Sequence, residues 1–413
     1  MSVLLGALFL AAAIAPFLYR FLGRTTFVLL SLVPFAGLVY SLTLIPQIFG
    51  DAEPRVEELG WLPDLLLSIV LRMDPLSWIM SLLVTGVGGF VFLYCARYFG
   101  VDEVRIGRFA AVLMAFVAMM YGLVVADELL TLFIFWEGTT VFSYLLIGQY
   151  AGRQQSRRAA LQALVVTTFG GLAMFVGMIL LGVQYGTGLL SEIVATGFDG
   201  APLTATAIVL VLIGAISKSA LIPFHFWLPG AMAAPTPVSA YLHAAAMVKA
   251  GIYLILRLAP GFADMPYWRE GLVALGLLTM LLGGWQALKE TDLKLILAYG
   301  TVSQLGFMTV MASFGHRDIT TAALALLLGH SMFKATLFLT VGIIDHRVGT
   351  RDLRKLSGYG RAYPFIAVFG TVAAASMAGL PPTMGFIAKE AVYGTLLDHG
   401  SKLAVVALIG VFL

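Results

Sequence analysis

The chain has 413 residues, of which 60% are hydrophobic and only 11% charged, with a net charge of +3. Soluble domains carry about 25% charged residues and about 45–50% apolar ones, so this composition excludes a soluble globular fold and reads as a polytopic membrane protein. The small net charge and the absence of a basic tract exclude a nucleic-acid partner.

Apolar runs of about 20 residues, bounded by breakers, are predicted to span at 2–22, 25–49, 74–98, 106–126, 127–149, 159–186, 204–228, 236–258, 271–288, 292–314, 319–344 and 364–396. The first lacks a basic leader and is long enough to span, so it does not read as a cleaved signal peptide. A thirteenth run begins near Lys402 and stops at Leu413, too short to cross. The expectation is that the chain stops inside a helix.

Loop charges set the orientation. With the N-terminus outside, inner loops and helix ends hold 15 Lys and Arg, Lys294 among them, against 6 outside. The acidic segment Asp51–Asp64 then faces outside, as does the 187–203 loop. Cys95 is the single cysteine, which rules out an internal disulfide and a cysteine-ligated cluster.

Two spans are broken by proline. Ser-Lys-Ser-Ala-Leu-Ile-Pro (217–223), Trp-Leu-Pro-Gly (227–230) and Ala-Pro-Thr-Pro (234–237) interrupt and end the seventh, and Ala-Gly-Leu-Pro-Pro-Thr-Met-Gly (378–385) interrupts the twelfth. Proline removes a backbone donor and clashes with the preceding turn. Freed backbone at membrane depth is tolerated only inside protein or along a wet cavity. Paired breaks are the sequence mark of repeated halves around an ion site. The predicted fold is therefore all-α, with N-terminal helices over 1–105 and two inverted five-helix repeats, 106–258 and 271–413, each carrying one broken helix.

Four lysines, Lys218, Lys249, Lys334 and Lys389, and one acid, Glu137, fall inside these spans. A lysine at the centre of a spanning helix costs roughly 2.5–3.5 kcal/mol, so four oppose insertion by roughly 10 kcal/mol before any partner is counted. Charges kept at that cost point to holding or moving charge across the bilayer. Glu137 sits among aromatic and aliphatic neighbours and needs a partner; Lys218 is the expected one, and a change in their separation would change the lysine's hold on its proton. A static ion pair is the alternative. His330 and Lys334 are four apart on one helix face and suit a proton relay. His243 and Lys249 are six apart, about 240° around one helix, and should face different neighbours. His225 follows the first break and could bond freed carbonyls. Asp74, Asp127 and Glu128 stand at helix starts, where capping is the default role. The histidines lack metal-ligand spacing, and no glycine-rich phosphate loop or nucleophile motif appears. No metal and no cofactor is expected.

Four stretches carry a family resemblance: DELLTLFIFWEGTTVFSYLLIG (127–148), SKSALIPFHFWLPGAMAAPTPVSAYLHAAAMVKAGIYL (217–254), HSMFKATLFLTVGIIDHRVGTRDLRKL (330–356) and GLPPTMGFIAKE (379–390). They resemble the antiporter-like subunits shared by Mrp-type multisubunit cation/proton antiporters, respiratory complex I and membrane-bound hydrogenases. HFWLP, MVKAG and GIIDH lean towards the Mrp members, the A-type subunit in particular. The resemblance implies a 14-helix core, of which 12–13 helices are present here. It also implies that Glu137 and Lys218 act as paired acid and base, that His243, Lys249, His330 and Lys334 continue a polar axis, and that Lys389 ends it. The implied activity is inward proton movement driving Na⁺ outward, with K⁺ or Li⁺ as other candidate cations. Further small hydrophobic subunits and the cell-membrane lipid are the implied partners. The alternative is the proton-pumping arm of a redox complex, with no redox centre in this chain.

Overall fold

The computed structural model describes residues 1–50, 53–62, 67–100, 103 and 105–412. Compactness divides the chain into two units: Met1–Thr196 with Ala201–Gly214, and Gly197–Gly200 with Ala215–Leu413.

The first unit holds α1 (Ser2–Leu22), α2 (Thr25–Thr43), α3 (Ile45–Ile48), the strands β1 (Arg55–Leu62) and β2 (Leu67–Met73), then α4 (Pro75–Tyr98), α5 (Ile106–Val125), α6 (Leu129–Ile147), α7 (Gln154–Tyr185), α8 (Leu190–Thr196) and most of α9 (Pro202–Lys218). Local signals place the starts. Asp74 caps α4 by accepting from the amide of Ser77 at 3.0 Å, with Pro75 in the first turn. Glu128 accepts from the amides of Leu130 and Thr131 and starts α6. Packing runs α1 on α5, α2 on α4, α5 on α6 and α6 on α7. Phe27, fully buried, gathers Phe92, Phe99 and Phe109 within 6.4 Å between ring centres.

The antiparallel hairpin β1–β2 departs from the all-helical expectation. Asp51 and Asp64, the ends of the expected acidic segment, lie outside the described residues, but Arg55–Leu62 between them is strand. A lone hairpin is marginal in water. This one is tied down. Val70 and Leu71 are buried, the carbonyl of Val70 accepts from the amide of Asp127 at 2.9 Å, and Glu57 receives the N-terminal ammonium at 2.8 Å.

The second unit continues with α10 (Trp227–Gly230), α11 (Thr236–Ala244), α12 (Lys249–Phe262), α13 (Trp268–Lys289), α14 (Leu293–Ala312), α15 (Arg317–Val348), α16 (Tyr359–Ala362), α17 (Pro364–Ala378), α18 (Met384–His399) and α19 (Lys402–Phe412). Helices α13 and α14 pack closely because small residues face each other. A Cβ at Gly276 would lie 2.7 Å from the carbonyl oxygen of Gly306, and one at Gly283 would lie 2.6 Å from the amide of Ser303. Helix α15 packs against α11, α14, α17 and α18.

Among the described residues ten helical stretches are long and apolar enough to cross a membrane, and α9, α17 and α19 are shorter apolar helices. The fold is an all-α polytopic membrane protein. The predicted breaks in spans seven and twelve are present as the α9–α10 and α17–α18 interruptions. Span eight departs from expectation: it is split between α11 and α12 at residues 245–248.

Candidate functional site

Three interruptions organise the second unit. The first follows Lys218, the last residue of α9, which is fully buried. The turn closes when the amide of Leu221 donates to the carbonyl of Ile216 at 3.1 Å. Ala220 takes a positive φ of 49°, and Pro223 prevents the helix from resuming. The backbone freed here is satisfied by side chains from elsewhere. Ser219 Oγ donates to the carbonyl of Val248 at 2.7 Å, Thr279 Oγ1 accepts from the amide of Ile222 at 3.2 Å, and Trp227 Nε1 donates to the carbonyl of Ser217 at 3.0 Å. This is how irregular backbone survives where lipid offers no hydrogen bond.

The second interruption separates His243 from Lys249. The amide of Ala246 reaches back five residues to the carbonyl of Tyr241 at 3.2 Å, and that of Val248 six residues to Leu242 at 3.4 Å. The coil is wider than an α-helix, as in π-type bulges. The 240° offset expected for His243 and Lys249 on one continuous helix therefore does not hold. The third interruption lies between α17 and α18. There Lys389 Nζ donates to the carbonyls of Met377 and Ala378 at 3.1 and 3.2 Å, capping the end of α17. Lys389 is only half-buried, and it lines a groove of about 750 Å³ with Ser303, Gln304, Phe307, Tyr393 and Trp285.

Between these interruptions lie His243, Lys249, Lys294, His330 and Lys334, each at most 2% exposed. Their charges act on one another: His243 is within electrostatic reach of Lys249 and Lys294, and His330 of Lys249 and Lys334. Lys249 is in turn within reach of Lys334. Lys334 Nζ donates to the carbonyl of Leu297 at 3.0 Å, an oxygen that also accepts from Thr301 Oγ1 at 2.8 Å. Among the described residues no hydrogen-bond partner meets either ring nitrogen of His243 or His330, or Nζ of Lys249. His243 is flanked by the rings of Trp227 and Phe338 at 6.2 and 6.4 Å. Among the described residues no three His, Cys, Asp or Glu gather as a metal site would require.

Lys294 corrects the reading of the loop charges. The charge count places it among the inner loops and helix ends, but it is 2% exposed, and its Nζ donates to the carbonyls of Ala234 at 2.7 Å and Met232 at 3.1 Å. The signal that could have found it is Asp292, which caps α14 by accepting from the amide of Lys294 at 2.8 Å. The cap puts Lys294 in the first turn of α14, at the start of the predicted 292–314 span.

In the first unit Glu137 is partly buried on α6, and its carboxylate lies against Gly171 of α7. Glu137 belongs to the first unit and Lys218 to the second. The secondary candidates have structural partners. Asp74 is the cap of α4. Asp127 is buried and holds α8, accepting from the amide and hydroxyl of Ser191 at 3.0 and 2.6 Å. The cap of its own helix is Glu128. His225 Nδ1 is buried with no hydrogen-bond partner among the described residues, and the carbonyls of Ser217, Met232 and Ala234 accept from Trp227 and Lys294. Cys95 is buried and free.

The family model described as NADH:quinone oxidoreductase/Mrp antiporter, TM matches residues 126–413, and that of the complex I chain 5 N-terminus matches 61–110. The chain is 45% identical over 342 residues to a probable A/B-type subunit of a K⁺/H⁺ antiporter from Rhizobium meliloti, covering 82% of this chain and 34% of the relative. It is 41% identical over 409 residues to the A-type subunit of a Na⁺/H⁺ antiporter from Alkalihalophilus pseudofirmus, covering 94% of this chain and 50% of that one. The chain thus spans half or less of the length of these relatives. A solved Mrp complex from a Dietzia species superposes with a TM-score of 0.91 at 38% identity, over 99% of this chain and 45% of the matched one. An archaeal membrane-bound sulfane sulfur reductase superposes at 0.87 over 99% of this chain and 85% of its own, at 22% identity, a likeness of fold alone. The chain belongs to the NADH:quinone oxidoreductase/Mrp antiporter transmembrane family.

Proposed function

We propose that this chain is the antiporter-like core of one component of a multisubunit cation/proton antiporter. Protons entering the cell along this core drive Na⁺ outward, and K⁺ or Li⁺ are further candidates for the exchanged cation. The observation that carries the reading is the buried row His243, Lys249, Lys294, His330 and Lys334 beside helix interruptions. Three of these five groups lack a protein hydrogen-bond partner among the described residues. Buried polar groups of this kind are satisfied by water, and water alternating with titratable groups passes protons. The resemblance makes Glu137 and Lys218 the paired acid and base of this path, and Lys389, which opens on a groove, its exit. Lys294 joins the stations read from the sequence.

The chain lies in a prokaryotic cell membrane with its N-terminus outside. With Lys294 moved to the interior, 14 Lys and Arg still stand inside against 6 outside. Residues 106–258 and 271–413 are inverted repeats, each with a proline break. Small hydrophobic subunits surround the chain in the complex.

The second reading is the pumping arm of a redox complex, which the complex I component of the family description keeps open. The 41–45% identity to antiporter subunits, against 22% to the sulfane sulfur reductase, supports the antiporter. Co-purifying subunits rich in cysteine cluster motifs would reverse that preference. The test is exchange by the whole complex in everted vesicles under an imposed pH gradient, with Na⁺, K⁺ and Li⁺ varied. Lys218→Ala should assemble and lose exchange; undiminished exchange would overturn the mechanism.

A further inference from the structure

We infer that Gly171 and Gly300 are positioning residues: each leaves bare the patch of helix on which a titratable side chain rests, and so fixes where its charge sits. The inference rests on the proton-path reading above.

Glycines in packed membrane helices usually let backbones meet. A Cβ at Gly177 would lie 2.5 Å from the carbonyl oxygen of Ala207, and one at Gly276 would lie 2.7 Å from that of Gly306. Backbone cannot step aside, so such glycines are packing requirements. Gly171 and Gly300 are different in kind. The atom nearest a Cβ at Gly171 is Oε1 of Glu137, well inside van der Waals contact, with Cδ of the same side chain at 3.0 Å. The next neighbour, a ring carbon of Trp136, stands at 3.6 Å, an ordinary contact. At Gly300 the one non-local atom within 4 Å is Nζ of Lys334, at 2.9 Å. Both collisions are with the far end of a flexible, charged side chain. A methyl at either position leaves the backbone where it is and moves the charge.

The displacement has consequences. Lys334 Nζ is held 3.0 Å from the carbonyl of Leu297. Restoring ordinary carbon contact at about 3.5 Å pushes the ammonium about half an ångström and strains that bond. The Glu137 carboxylate must move further. Misplacing a reacting group by about 1 Å costs up to about 100-fold in rate. Gly379 also touches a station, with Cδ of Lys389 2.9 Å from its Cβ position, but its φ of 83° would strain any alanine, so it makes no clean test. At Gly171 and Gly300, both within helices, glycine is about 1 kcal/mol less favourable than alanine by propensity. Substitution should therefore leave the helices no less stable while impairing transport, a split that a packing role does not produce.

The experiment uses the whole complex in everted vesicles, reading exchange against pH together with the melting of the purified complex. Gly171→Ala and Gly300→Ala should each assemble, melt no lower than the parent, and lose about 10- to 100-fold in exchange rate. Gly182→Ala, on the same helix as Gly171, meets nothing nearer than 3.7 Å and should exchange like the parent. Glu137→Asp draws the carboxylate back by about one bond, ~1.5 Å; in the Gly171→Ala background it should raise exchange above that of Gly171→Ala alone. Parental exchange in both alanine variants, with Glu137→Gln inactive, overturns this inference and leaves the proton path standing. Equal loss in Gly182→Ala, or a further fall on adding Glu137→Asp, also overturns it. Undiminished exchange in Glu137→Gln removes the path and this inference together.

Discussion

Lys294→Met should loosen the chain at the end of the first interruption. The ammonium donates to the carbonyls of Met232 and Ala234 at 3.1 and 2.7 Å, and both residues are at most 5% exposed. Methionine fills a similar volume but donates nothing. Each carbonyl left without its donor costs about 1–3 kcal/mol. Removing a buried ammonium gives part of that back, because ion desolvation opposes folding. Taking about 2 kcal/mol as the net, local opening becomes about 30-fold more frequent at 1.36 kcal/mol per tenfold. The assay is thiol labelling of Ala233→Cys, which sits between the two bonded carbonyls. The background is clean because Cys95, the one native cysteine, is fully buried. Lys294→Met should speed labelling at 233 by about 30-fold while leaving Cys95, in α4, as protected as in the parent. An unchanged rate at 233 would mean that the lysine does not hold this segment closed, and the argument from the two carbonyls would fail.

Two further outcomes follow from groups outside the charged row. Burial alone would raise the pKa of the Glu57 carboxyl, but hydrogen bonds from the N-terminal ammonium and from the amide and hydroxyl of Ser2 lower it to about 2, from an ordinary 4.5. A depressed carboxyl stabilises the fold above its unfolded pKa, and that contribution fades as pH falls from about 4.5 through about 2. Protection of the amides of Ser2–Leu5, corrected for intrinsic exchange, should drop across that window, and Glu57→Gln should flatten the drop. Asp127→Asn replaces a charged acceptor of two bonds from Ser191 and should lower complex stability by about 1 kcal/mol. Exchange should persist, because this acid holds α8 rather than a proton; loss of exchange with an unchanged melting curve would contradict that assignment.

What the sequence makes legible follows from physics that acts over a few residues. The spans can be read because a bilayer demands about 20 apolar residues in a row. The α9 and α17 breaks can be read because Pro223, Pro381 and Pro382 stop a helix whatever surrounds them. His330 and Lys334 fall together because four residues make about one helical turn. What cannot be read has tertiary causes. Nothing in Ala-Ala-Met-Val at 245–248 breaks a helix; the widening there accompanies a hydroxyl bond from Ser219, 29 residues before Val248 along the chain but close in space. Lys294 reads as an inner helix-end charge because its carbonyl partners, Met232 and Ala234, belong to a distant break. The β1–β2 hairpin hides behind Glu57 and Glu58, although Leu67–Met73 carries the β-branched Ile69 and Val70 of a strand. Which glycines face a charge and which face backbone is likewise a property of the packed structure.

The bond from Ser219 Oγ to the carbonyl of Val248 joins two positions that adjoin lysines, for Lys218 precedes one and Lys249 follows the other. Gly251 strengthens the join, since even a methyl there would strike the carbonyl of Ala215 and the hydroxyl of Ser219. The two kinks are therefore meshed like gear teeth. Opening of one kink is expected to drag or release the other, through the Ser219 hydroxyl and the Gly251 contact together.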